Sequence, residues 1–133
     1  MIRALFLTAL TLALFGSTGP AAHAQSQARV ALSEKLPNVP GKSMTAVVVT
    51  FPPGVKSPPH RHAGSVLVYV LSGEVRSENS ATGPAKLYKA GETFFEPAGS
   101  THLVSENASA TEPATILAVF IADDGATLTT RDQ

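Results

Sequence analysis

A chain of 133 residues with ten Lys and Arg against ten Asp and Glu has room for one domain and carries no net formal charge. Acidic and basic residues are interspersed without a run of either sign, which excludes the basic patch that nucleic acid or an anionic membrane would favour. Cysteine is absent, so neither disulfides nor thiolate ligands are available. A bound transition ion would have to use imidazole, carboxylate or water, which narrows the choice to Fe, Mn, Ni, Cu or Zn.

The first two dozen residues form a separate unit. Arg3 supplies a positive start, residues 4–16 are an apolar core segment, and Ala22-His23-Ala24 places small residues where a signal peptidase reads them. The apolar segment is short of the ~20 residues a spanning helix needs. The expectation is a signal peptide over 1–24, cleavage before Gln25, and a periplasmic or secreted product without stable membrane insertion. With no cysteine after the apolar segment, a lipoprotein is excluded. The remaining domain, 25–133, keeps three histidines: His60, His62 and His102. So small a domain buries a modest core, which favours a homodimer.

Beyond the leader no stretch has a helical period. Apolar runs are short, rich in β-branched residues, and bounded by Gly, Pro, Asn or Ser, the pattern of an all-β domain. Residues 25–42 read as an arm and a loop, with a strand in 29–36. Strands are expected at 43–51, 66–71, 85–90, 92–96, 102–107 and 114–122, with an edge strand in 125–130. Turn signals this regular point to a sandwich or barrel with its core over about 43–122. The run 114–122 is apolar on both faces, Ile116, Ala118 and Phe120 on one and Leu117, Val119 and Ile121 on the other. Either a loop covers its outer face or a second subunit does. Tyr69, Tyr88, Phe94 and Phe95 belong to the core or to that interface.

The chemistry concentrates in 52–75 and 90–107. His60 and His62 are two apart, so on an extended strand both imidazoles share a face while Arg61 points away. Pro97-Ala98-Gly99 turns the chain before His102, which can return a third imidazole to the same point. Three neutral nitrogens on a rigid sheet can hold a metal and leave positions open for water or substrate. Val66, Val68 and Val70 continue the inward face set by His62, so the ligand expected there is a small, partly apolar molecule.

These segments resemble the two motifs of the cupin superfamily. Gly54, His60, His62 and Gly73 fall at the spacings of the first, and Gly91, Pro97, Gly99 and His102 at those of the second. The resemblance is to small exported bacterial cupins, and it implies a double-stranded β-helix, or jelly-roll, barrel with one divalent transition metal on the three histidines. Two positions depart from the pattern. Val66, or Leu67 at the alternative spacing, stands where the first motif has its glutamate ligand. Asn107 lies one residue late, with Glu106 in its place. Glu96, just before Pro97, bears on the missing carboxylate. Facing inward it would be a fourth ligand, a partner to a histidine, or an acid/base; facing outward it is a surface residue.

Two function classes follow from the resemblance. One is a three-histidine Fe(II) dioxygenase of the β-diketone or thiol type, with a small-molecule substrate on the metal. The other is a non-catalytic module that binds or senses a metal or small ligand. A metal-free isomerase is disfavoured by retention of all three motif histidines. Fold alone does not choose among them.

Overall fold

The computed structural model describes residues 24–131; the expected leader lies outside them apart from Ala24. Among the described residues there are strands and no helix. In chain order they are β1 (Gln27–Lys35), β2 (Lys42–Phe51), β3 (Lys56–Ser57), β4 (His60–His62), β5 (Ser65–Ser72) and β6 (Glu74–Asn79). They continue with β7 (Gly83–Lys89), β8 (Thr93–Glu96), β9 (Thr101–Asn107), β10 (Ala114–Asp123) and β11 (Thr129–Arg131). One sheet runs β1-β2-β10-β5-β8, the other β11-β4-β9-β6-β7 with β3 also on β9. All pairings are antiparallel. This is the expected jelly roll, two sheets closing over one interior.

The core follows from alternation. Val66, Val68 and Val70 on β5 are fully buried, and on β10 the inward set is Ala114, Ile116, Ala118, Phe120 and Ala122. Phe51 and Val75 complete the cluster, with Val47, Val49 and Phe94 packed against it. Each buried Val, Ile or Phe contributes about 1.5–3 kcal/mol. Gly64, between β4 and β5, passes so close to the Ile121 carbonyl and Ala122 that a Cβ added to it would stand 2.7 Å from Ala122 Cβ, and any side chain would force the strands apart. That close approach pins the end of β4, and with it His62, against β10.

The other face of the β10 sheet is apolar and open. Leu67, Tyr69, Leu71, Phe95 and Ile121 are 36–50% exposed, and no loop among the described residues covers them. Register places them together: Leu67 is opposite Phe95 on β8 and opposite Val119 on β10, and Tyr69 is opposite Leu117. The doubly apolar pattern of 114–122 therefore reflects a central strand whose outer face, half-buried at Leu117 and Val119, is not covered by a loop of the described residues.

Three elements differ from expectation, the first being β3, which at two residues is too short for periodicity to mark. The terminal edge strand is shorter and later than 125–130, beginning at Thr129. The whole of β6 was absent from the sequence reading. Its inward positions are Val75, Ser77 and Asn79, all buried, so it alternates buried with exposed but not apolar with polar. Hydrophobic periodicity cannot find a strand whose inner face is polar.

Candidate metal centre

Antiparallel register builds the site. His60 on β4 is directly opposite His102 on β9, and directly opposed residues project to the same face. His62, two residues on, shares that face; Arg61 between them is exposed. Ring centroids are 4.8 Å apart for His60 and His62 and 4.9 Å for His60 and His102. One ligand atom from each of the three histidines lies within 4.8 Å of those of the other two. With ~2.1 Å metal–nitrogen bonds at 90–110°, neighbouring ligand atoms lie ~3.0–3.4 Å apart, so the widest pair would close by about 1.4–1.8 Å around an ion.

Glu96 faces inward: at 3% exposure it is among the most deeply buried polar residues described. Its Oε2 lies 3.0 Å from His102 Nδ1 and 3.7 Å from His62 Nε2. Oε2 and Nδ1 are nevertheless both without an aligned hydrogen-bond partner. They lie 3.0 Å apart, in close electrostatic contact but out of hydrogen-bond alignment. Buried polar atoms left in that state are costly, and their spacing is that of neighbouring ligands on one ion, where ~2.1 Å bonds at 90–110° give ~3.0–3.4 Å. The donor set of three imidazoles and one carboxylate fits a divalent first-row metal.

Each imidazole is anchored through its other nitrogen. His60 donates from Nδ1 to the Pro58 carbonyl at 2.9 Å. His62 Nδ1 is within reach of the Leu128 carbonyl at 3.2 Å and Thr129 Oγ1 at 3.1 Å. A carbonyl only accepts, so the proton sits on Nδ1 in both and the Nε2 lone pair is left for the interior. His102 is turned the other way, with Nε2 against Ser77 Oγ at 2.8 Å. Such outer partners fix tautomer and ring orientation. Phe120 packs edge-on to His62 with centroids 5.1 Å apart. Sequence reasoning missed Ser77 and Thr129. The signal available for Ser77 was its place two after Val75 on a strand leaving Gly73.

The carboxylate has a positional explanation. Val66, which occupies the position of the expected glutamate, is the direct cross-strand partner of Glu96. The acid missing from β5 is thus matched by one on β8 that projects to the same face at the same level. Asn107, the other displaced residue, is a structural tie: its Nδ2 donates to the carbonyls of Phe51, Pro52 and Glu112. Glu106 points outward to Lys56 and Arg76. Glu92 is at the surface, where it accepts from the Lys89 amide.

Burial, with the nearby imidazoles adding to it, pushes His60 below its ordinary 6.5 despite the Pro58 hydrogen bond. Burial also lowers His62, against the pull of Glu96. For Glu96 burial alone would raise the value, but contact with His102 and the fields of His62 and His60 outweigh it and hold the acid below 4.5. Both rings are therefore neutral, and the carboxylate ionised, at neutral pH. The signs agree for stability of the metal-free protein. As pH falls through 6.5 the unfolded chain takes up protons that folded His60 and His62 resist. Glu96 adds a contribution present above 4.5 and lost as pH falls through its lower folded value. The thermal midpoint of chelator-treated protein is expected to fall as pH drops from neutrality through 6.5; a flat or rising midpoint would contradict these environments.

The four side chains line a cavity of about 310 Å³. Val49, Ile116, Ala118 and Phe120 form apolar wall, and Ser57, Ser105, Thr129 and Arg131 add polar lining. A histidine cluster beside a small apolar cavity in a jelly-roll barrel is a class of site that could hold a metal ion or a small molecule.

Comparison with known proteins agrees with that class. The cupin domain model matches residues 47–120, and the chain belongs to the cupin family. It is 33% identical over 91 residues to germin-like protein subfamily 2 member 2 of Arabidopsis thaliana, across 65% of this chain and 41% of that protein. The chain thus spans less than half the length of that relative. A double-stranded β-helix protein from Klebsiella pneumoniae superposes with TM-score 0.64 at 22% identity, covering 84% of this chain and 88% of that one. The DMSP lyase DddQ from Ruegeria pomeroyi gives 0.63 at 22%, covering 80% and 51%. Oxalate decarboxylase from Bacillus subtilis, which has Mn(II) centers, gives 0.55 at 27%, covering 66% and 23%.

Proposed function

We propose that the protein is an exported metal-binding cupin in which His60, His62, His102 and Glu96 hold one divalent first-row ion, and that it acts as a dioxygenase-type oxidoreductase on a small molecule. The observation that carries the metal reading is the pair of buried atoms, Glu96 Oε2 and His102 Nδ1, left without hydrogen-bond partners 3.0 Å apart beside two further imidazoles. The Mn(II) centers of the oxalate decarboxylase support the same kind of ion. Iron in this position would supply a redox centre with coordination positions left over for a small molecule. The chain's own residues do the rest. Pro58, Thr129 and Ser77 hold the rings in register, and the apolar wall excludes water and seats the organic part of the ligand. The test is elemental analysis of protein purified from the periplasm, with oxygen uptake measured on small diketones and thiols. One bound iron with uptake supports the enzyme. A bound metal without turnover leaves a binding or sensing module. No first-row metal in folded protein refutes the site.

We infer also that a second copy of the chain covers the outer face of the β10 sheet. At about 200 Å² for a large side chain, five side chains exposed at 36–50% present roughly 450 Å² of apolar surface. That is the size of the largest patch on a typical monomer, about 300–600 Å² and often functional, and it is more than half of the ~800 Å² each partner gives to a standard interface. Leu67 and Phe95, opposed across β5 and β8, sit within it. Sedimentation should show a dimer, and Leu67→Arg with Phe95→Arg a folded monomer. A wild-type monomer at micromolar concentration would refute the interface.

A further inference from the structure

We propose that the ligand of the barrel is a small organic monocarboxylate and that Arg131 is the specificity residue that receives its carboxylate. The inference deepens the reading of the barrel interior as the ligand site, and it does not depend on which metal is held there.

Placement comes first. Arg131 on β11 is the direct cross-strand partner of His60, and Thr129 is that of His62. Opposed residues share a face. Thr129 confirms the direction, because its hydroxyl reaches His62 Nδ1 inside the barrel. Arg131 therefore starts from the inward face as well, and it lines the cavity while remaining solvent-exposed at its mouth. Directly opposed Cα atoms are about 4.5–5.5 Å apart, which sets the guanidinium one side chain away from His60.

Charge comes second. Among the described residues that line the cavity, Arg131 is the only Lys or Arg, and Glu96 the only Asp or Glu. Glu96 is committed to the imidazoles. Arg131 makes no ion pair with any described residue, although Arg76 and several lysines do. A planar fork of donors with no ion-pair partner among the described residues, at the edge of an apolar cavity, matches a carboxylate in a bidentate pair. With a divalent ion on three neutral rings and one carboxylate, the interior would carry a net positive charge, which again favours an anion.

Size comes third. At ~30 Å³ for each water-sized unit, the cavity of about 310 Å³ admits a molecule of about ten non-hydrogen atoms. Its walls at Ile116, Ala118 and Phe120 suit an aliphatic or single-ring body.

Calorimetry on zinc-loaded and on chelator-treated protein, with butanoate and benzoate as probes and butanamide and benzamide as neutral controls, tests the assignment. The acids are expected to bind wild type at least about tenfold more tightly than the amides. Arg131→Gln should lose about tenfold for the acids and nothing for the amides, Arg131→Lys should fall between, and the loss should shrink at high salt. Both variants should keep wild-type metal content and circular dichroism, since Arg131 is exposed and has no tie to Glu96. Acids that bind Arg131→Gln as well as wild type, amides that bind as well as acids, or no binding of either acid would overturn the proposal. If the metal reading itself fails, zinc will not load, while the contrast between wild type and Arg131→Gln stays readable in chelator-treated protein.

Discussion

Replacing Glu96 with glutamine is expected to weaken metal binding by more than about 100-fold, because even partners that touch only a ligand typically cost 10–100-fold. Glutamine has the same shape but no charge, and its oxygen is a poor donor to a divalent ion. The fold should survive. Contacts with His102, His62 and His60 outweigh the cost of burial and favour the ionised acid, so the metal-free variant should melt somewhat below metal-free wild type at neutral pH while remaining folded. What disappears is the linkage between metal and stability. A 100-fold loss of affinity removes about 2.7 kcal/mol of stabilisation at saturating metal. Thermal melts with and without zinc or manganese read this directly. An unchanged metal-induced shift in Glu96→Gln would show that the carboxylate is not a ligand.

The second large effect comes from moving the acid back across the strand pair. Val66 is wholly buried and directly opposite Glu96, where facing Cβ atoms are about 4.5–5.5 Å apart. Val66→Glu alone therefore places two buried carboxylates side by side, and both cannot ionise. The metal-free variant should lose about 3 kcal/mol or more, a drop of roughly 10–20 °C in melting midpoint for a domain of this size. Combining Val66→Glu with Glu96→Val removes the clash of charges and restores a single carboxylate at the same level of the barrel. The double variant should bind metal at least about tenfold better than Glu96→Val alone, given what a single metal-site partner is worth. A double variant no better than Glu96→Val would mean that the two positions do not serve the same ion.

The sequence made the scaffold legible where one face of a strand is apolar. The valines of β5 and the inward set of β10 announce themselves by alternation, and the histidine spacing carried the site. It failed at β6 for a physical reason: buried Ser77 holds the His102 ring and buried Asn79 ties the turn at Ala81, so the strand that supports the chemistry lacks the apolar signature of a strand. Glu96 was visible but undecided. The direction of a side chain at a strand end depends on register with a neighbouring strand, and only the pairing of Glu96 with Val66 settles that it faces inward. The partners of His62 were out of reach for a similar reason, since Leu128 and Thr129 lie 66 and 67 residues away along the chain. Arg131 offered nothing at all as a lone arginine near the end of the sequence. Its position opposite His60 exists only once β11 has paired with β4.

The most direct test of the metal centre is anomalous diffraction from a crystal of the protein as purified, collected at the absorption edge of the metal found by elemental analysis. The account predicts one strong peak per chain, within ~2.0–2.3 Å of His60 Nε2, His62 Nε2, His102 Nδ1 and Glu96 Oε2. A peak elsewhere, or a folded protein that carries no first-row metal, would contradict it.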